Sequence, residues 1–266
     1  MSLPHPRPES RAVITGASSG IGDHLARGLA ARGHHLLLVA RRQEQLRALA
    51  EELEACYGVS VAIRSCDLAN RTARKALCAE LASSDISILC NNAGFATFGQ
   101  LKDLDPAREI EQVELNAVAV HELTLTVLPQ MIARGEGALL ITGSTAGHQP
   151  MPGSATYSAS KAFANTLSEA LHEELRGSGV TCTLLAPGPV RTGFADVAGI
   201  KAIEGVGGGF AWLSAARVAE DALRGMERGH RMVVPGTFAT LQTLGGRYTP
   251  RAMLLPILSK VLGRVA

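Results

Sequence analysis

Seven short apolar runs separated by helical patterns constrain this chain more than any other feature. The runs are Ala12 to Ile14, His35 to Ala40, Val59 to Arg64, Ile86 to Cys90, Ala138 to Thr142, Thr181 to Leu185 and Met232 to Val234. Between the first two, Ile21, Leu25 and Leu29 share one helical face and the pattern stops at Gly33; Leu46, Leu49 and Leu53 repeat it before Gly58. Longer helices are expected from Ala107 to about Arg134 and from about Tyr157 to Arg176. Strands alternating with helices are βαβ units, whose parallel sheet is covered on both faces. The expected fold is therefore α/β, one doubly wound sheet of seven parallel strands with helices on both faces. A chain of 266 residues suffices for one such domain.

The remaining segments are read by composition. Residues 1–9 hold three prolines and no apolar stretch, so they are expected to be a flexible tail and neither a signal peptide nor a membrane helix. Residues 10–236 form the expected dinucleotide-binding and catalytic body. Within it, 188–213 is Gly-rich with little periodicity and is read as a substrate loop, with Met151, Ile200, Ile203, Phe210 and Trp212 giving the pocket an apolar lining. Residues 237–266 read as an amphipathic helical extension interrupted by Pro256, packing on the body, on a second subunit or on a membrane surface.

Function classes fall away on the same grounds. The charge of +2 shows no basic stripe, which argues against nucleic acid. Five cysteines with no CxxC pair, and histidines with no HExxH spacing, support no metal site and suggest reduced thiols in a cytoplasmic protein.

Chemistry enters with Thr15-Gly16-Ala17-Ser18-Ser19-Gly20-Ile21-Gly22, set between a strand and a helix. Gly16 suits a tight turn, Gly20 a close backbone approach to a pyrophosphate and Gly22 close helix packing, while the helix N-terminus offers free N–H groups. The second strand ends in Arg41-Arg42, where an acid would hold the ribose 2′-OH of NAD. Two guanidiniums suit a 2′-phosphate, so NADP(H) is the preferred cofactor, with Arg41 expected to bind and Arg42 to sit solvated. Ser19 stands where a basic residue would strengthen that preference, so use of NAD(H) as well stays open.

Tyr157-Ser158-Ala159-Ser160-Lys161 places a phenol and an ammonium four residues apart on one helical face, where the cation is expected to lower the phenol pKa. Ser144 ends the run Leu139 to Gly143 at a strand's C-terminal edge, positioned to hold a substrate oxygen. His148 and Gln149 follow it and are read as possible pocket lining.

Taken in order, TGASSGIG, Asn91-Asn92-Ala93-Gly94, Asn116, Ser144, YSASK and Pro187-Gly188 resemble the short-chain dehydrogenase/reductase family over residues 10 to 236. That resemblance implies a Rossmann fold, a bound nicotinamide dinucleotide and a catalytic tetrad. Asn116 would hold a water linking Lys161 to solvent, Ser144 would polarise the substrate oxygen, and Tyr157 would transfer the proton. Lys161 would also bind the nicotinamide ribose. Asp67 and Leu68 would lie along the adenine, with Asn92, Ala93 and Gly94 on the adenosine side. Pro187, Gly188, Val190 and Thr192 would meet the nicotinamide. The expected activity is hydride transfer between NADP(H) and a carbonyl or secondary alcohol of a small, hydrophobic molecule, in a homodimer or homotetramer. The competing reading is a non-catalytic NADP(H)-binding regulator or scaffold.

Overall fold

The computed structural model describes residues 3–191 and 212–262. Seven strands form one parallel sheet: β1 (Arg11–Thr15), β2 (His35–Ala40), β3 (Val61–Ser65), β4 (Ile86–Asn91), β5 (Gly137–Thr142), β6 (Val180–Leu185) and β9 (Met232–Val233), in the order β3-β2-β1-β4-β5-β6-β9. The expected seven-stranded sheet is present. Period-two alternation divides each strand between two cores. Ile14, Leu36 and Leu38 face α1 (Gly20–Ala30), α2 (Gln43–Tyr57) and α7 (Ala215–Glu227), packing with Leu25, Leu29, Leu46, Leu53 and Leu223. Val13, Leu37 and Val39 face α3 (Arg71–Ala82), α5 (Val120–Arg134) and α6 (Ala155–Glu174), packing with Leu77, Leu81, Val127 and Met131. Strand order reverses between β1 and β4, which opens a crevice at their C-terminal ends.

Several boundaries differ from the sequence reading. β3 starts two residues late because Gly58, at φ 66, closes α2 in the left-handed region and Ser60 N–H donates to His35 Nδ1 at 2.8 Å. The long helix from Pro106 is three pieces: α4 (Pro106–Val113), a π turn (Glu114–Ala119) and α5. A two-stranded parallel pair, β7 (Val190–Arg191) with β8 (Leu213–Ser214), brackets the Gly-rich segment. Most of that segment lies outside the described residues, and with it Thr192, Ile200, Ile203 and Phe210.

The N-terminal segment is fastened rather than loose from residue 3 onward. Leu3 is buried, and Arg7 pairs with Asp85 at 3.1 Å and with Glu136. The C-terminal extension breaks at Pro250, not Pro256, into α8 (Thr237–Tyr248) and α9 (Arg251–Leu262). Thr249, at ψ 128, is held out of the helical region by the ring that follows it. Pro256 stays inside α9, where it forgoes one backbone hydrogen bond. Among the described residues, no helix is long and apolar enough to cross a membrane.

Candidate active site

The crevice is walled by the loops after β1 and β4. Gly16, at φ 68, turns the chain out of β1 so close to β4 that a Cβ there would lie 2.9 Å from Ala93 Cα. Thr15 joins the two loops: its hydroxyl accepts from Asn92 N–H at 2.9 Å and Ala93 N–H at 3.0 Å, and its carbonyl accepts from Asn92 Nδ2 at 3.1 Å. Gly20, at φ 60, opens α1, and its N-cap Ser19 makes no side-chain capping bond. The first-turn N–H groups have no partner inside the helix and point to where an anion would sit. This glycine cradle and bare helix start fit a dinucleotide pyrophosphate.

At the end of β2 both arginines are exposed, and each meets a different neighbour. Arg42 reaches into the phosphate loop, donating to Ser18 Oγ at 3.0 Å and Ser19 Oγ at 2.7 Å. Arg41 is 60% exposed and meets Glu111 at 3.5 Å. The turn after β1 thus offers its hydroxyls to the second guanidinium of the pair, while the first meets α4. After β3, Asp67 Oδ1 accepts from Ala69 N–H at 3.1 Å, and the Leu68 carbonyl accepts from Arg74 at 2.7 Å. Arg74 is buried on α3, held by Glu122 at 2.6 Å and Glu114 at 2.8 Å. Its sequence context gave no sign of this brace.

The second wall carries Ser144, Tyr157, Lys161 and Asn116. Ser144 follows β5 in an extended conformation; its hydroxyl accepts from Ala146 N–H at 3.1 Å and shares a hydrogen bond with the Tyr157 phenol. A residue not anticipated from sequence, Asn165 on α6, fixes the serine backbone. Its Oδ1 accepts from Ser144 N–H at 3.3 Å and its Nδ2 donates to Ser144 O at 3.0 Å. Gly143 is required there, since a Cβ would fall 1.9 Å from Asn165 Oδ1. Lys161, one turn after Tyr157, is 4% exposed and donates to the Thr142 carbonyl at 2.8 Å.

Burial dominates the electrostatics. It raises the Tyr157 phenol above its ordinary value, with the Ser144 hydrogen bond pulling back in part. It also lowers Lys161 from 10.5 to about 8. The expected depression of the phenol by the lysine cation is therefore not found: the ammonium itself loses hydration and is spent on Thr142 O.

Asn116 sits in the π turn, buried. Its Oδ1 accepts from Phe95 N–H at 3.2 Å, and its Nδ2 donates to Phe95 O at 2.9 Å and Ser160 Oγ at 3.1 Å. It therefore ties the loop after β4 to α6, and its Oδ1 lies 2.9 Å from where a Gly94 Cβ would be. Pro187 and Gly188 adjoin the serine because Thr145 N–H donates to Pro187 O at 3.1 Å. Val190 pairs with Leu213. His148 and Gln149 are both buried under α8: His148 Nε2 lies 3.3 Å from Asn165 Nδ2, and burial with nearby Arg247 lowers its pKa. Met151 and Trp212 are half-buried. Among the described residues no cluster of His, Cys, Asp and Glu is placed to hold a metal ion.

Comparison with known proteins agrees with this geometry. Residues 10–200 match the family described as short chain dehydrogenase. A very-long-chain 3-oxoacyl-CoA reductase of Laccaria bicolor is 41% identical over 174 residues, which is 64% of this chain and about half, 52%, of that protein. An NADP-dependent 3-hydroxy acid dehydrogenase of Salmonella typhimurium is 35% identical over 186 residues, covering 67% of this chain and 71% of its own. Among solved structures, a short-chain dehydrogenase from Sphingobium yanoikuyae in complex with NADPH superimposes with a TM-score of 0.81 at 33% identity, covering 93% of this chain and 95% of the other.

Proposed function

Because the chain belongs to the short-chain dehydrogenase family, we propose that it is an NADP(H)-dependent oxidoreductase acting on a carbonyl or secondary alcohol of a hydrophobic substrate. The observation that carries this reading is the hydrogen-bonded Ser144–Tyr157 pair beside buried Lys161, at the sheet edge next to a crevice shaped for a dinucleotide. When bound, the dinucleotide supplies or accepts the hydride. The chain's own residues do the rest: Ser144 holds the substrate oxygen, and Tyr157 gives or takes the proton at that oxygen. Lys161 turns from Thr142 to the ribose hydroxyls, and Asn116 holds a water beside it. Gly16, Ser18, Ser19, Gly20, Ile21 and Gly22 bind the pyrophosphate through backbone N–H groups. Asp67 and Leu68 line the adenine, with Asn92, Ala93 and Gly94 beside it, while Pro187, Gly188, Val190 and Thr192 receive the nicotinamide.

A lipid, steroid-like or 3-oxoacyl ketone fits the apolar Met151 and Trp212, and the Laccaria and Salmonella relatives are named for 3-oxoacyl and 3-hydroxy acid substrates. A scaffold without turnover would not need the buried lysine and the proton path it serves.

Fluorescence titration with NADPH and NADH, followed by a carbonyl panel, tests the reading. NADPH is expected to bind more tightly, and Arg42→Ala to weaken NADPH about 10- to 100-fold with little effect on NADH, the size of one or two lost charge-assisted hydrogen bonds. Arg41→Ala is expected to cost less. Equal binding of both cofactors by the wild type would remove the 2′-phosphate assignment; binding without any carbonyl turnover would favour the scaffold.

The same chain exposes Leu125 and Ile132 on α5 and Phe163 on α6, and Leu125, Leu128, Pro129, Ile132 and Ala133 line an apolar hollow of about 430 Å³. We read this face as a homo-oligomer contact, since exposed apolar patches of this kind mark interfaces. Sedimentation of the wild type as a monomer at micromolar concentration would contradict it.

A further inference from the structure

Charge along the chain changes abruptly near its end. Residues 228–266 contain Arg228, Arg231, Arg247, Arg251, Lys260 and Arg264 and no Asp or Glu, whereas residues 1–227 carry twenty basic against twenty-four acidic side chains. Arg247 is committed to Glu169 through two 3.0 Å bonds. Arg251 donates to backbone carbonyls, of Gly246 at 3.0 Å and His148 at 3.2 Å. Neither Arg251 nor Lys260 has a carboxylate partner among the described residues.

The helices that hold these cations also expose apolar side chains. On α8, Leu241, Leu244 and Tyr248 follow at three- and four-residue spacing, 68, 48 and 75% exposed. On α9, Met253 and Ile257 lie one turn apart at 62 and 56%, and the buried side of the helix is represented by Leu254. The charged side chains of α8 and α9 themselves, Arg247, Arg251 and Lys260, are all of one sign.

We propose that the α8–α9 surface docks on an anionic phospholipid bilayer, lying in the interface. Apolar side chains enter the acyl boundary while Lys and Arg reach the headgroup phosphates, a combination that neither water nor a neutral lipid rewards as well. A second copy of this chain is the poorer occupant, because a two-fold contact through this face would set Arg251 and Lys260, which lack carboxylate partners among the described residues, against the same cations of the other copy. A nucleic acid backbone would use the cations and leave the leucines, Met253 and Ile257 in water. The docking goes beyond the oxidoreductase reading and does not depend on it. It does place the catalytic wall near the membrane, since α8 touches that wall through the Thr145 hydroxyl, which donates to Gln242 Oε1 at 2.9 Å.

The test is co-sedimentation of the full chain with vesicles of phosphatidylcholine alone or containing about 30% phosphatidylglycerol. Binding to the anionic vesicles is expected to exceed that to neutral ones by roughly tenfold or more, and to fall in about 0.5 M NaCl. Met253→Glu with Ile257→Glu, both exposed, is expected to lower it by about tenfold while the near-ultraviolet circular dichroism stays unchanged; Leu241→Glu on α8 should act in the same direction. Equal sedimentation with both vesicle types, or binding that the substitutions leave intact, would overturn the proposal. So would a substituted protein that elutes as a smaller oligomer than the wild type, which would assign the surface to a second copy.

Discussion

Tyr157→Phe is expected to lower turnover roughly a thousandfold, the middle of the range for losing a positioned general acid or base. The substitution keeps the ring, which packs beside Phe98 with centroids 6.4 Å apart, and removes only the hydroxyl that bonds Ser144. Cofactor affinity and thermal midpoint should therefore change little, so the loss belongs to the chemical step. Single-turnover oxidation of bound NADPH by an accepted carbonyl is the direct measurement. If the variant kept more than about a tenth of the wild-type rate, the proton would have to reach the substrate oxygen by another path.

Lys161→Met is expected to separate activity from stability in opposite directions. Turnover should fall about as far as in the tyrosine variant, because the group proposed to hold the ribose and to face the proton path is gone. Stability should rise. A fall in pKa from 10.5 to about 8 corresponds to about 3 kcal/mol against the folded state when the amine is charged. Loss of the hydrogen bond to Thr142 O returns about 1 kcal/mol, leaving a net gain of about 2 kcal/mol at neutral pH. The sign follows from proton counting: between pH 8 and 10.5 the unfolded chain binds the proton and the folded one does not, so this group's penalty fades as pH rises through that window. Urea denaturation of both proteins from neutrality upward should show the variant's advantage shrinking toward pH 10.5. A methionine protein less stable than wild type at neutral pH would mean that the buried ammonium supports the fold.

The fold was legible because the central strands are nearly continuous in apolar residues and several helices are followed by a glycine at positive φ, as α2 is by Gly58. Tyr157 and Lys161 were legible for a similar reason: helical spacing alone brings them to one face. What stayed hidden depends on partners distant in sequence. Arg74, next to Arg71 and Lys75, has the pattern of a solvated helix face, and it is buried because Glu114 and Glu122 from another helix and the Leu68 carbonyl converge on it. Asn165 reads as an ordinary polar residue of α6 until Gly143 brings the Ser144 backbone against it. Arg42 and Arg41 are chemically identical neighbours, and only the path of the loop after β1 decides which one reaches the hydroxyls of Ser18 and Ser19.

The π turn at Glu114–Ala119 sets a rule about chain length. Upstream of it, Gln112 is held to the loop after β4, where its Oε1 accepts from Thr97 N–H at 2.8 Å; downstream, Thr124 receives Asn91 Nδ2 at 3.0 Å and Arg134 reaches Asp85 at 2.8 Å. A uniform α-helix fixes the angular phase between its two ends at about 100° per residue, so both sets of anchors can be met only if the winding is loosened between them. The wide turn absorbs that mismatch like a vernier. Wound as an even α-helix with the same number of residues, the segment would swing one half by about 100° relative to the other. Asn116 would turn out of the site although every side chain around it had been kept.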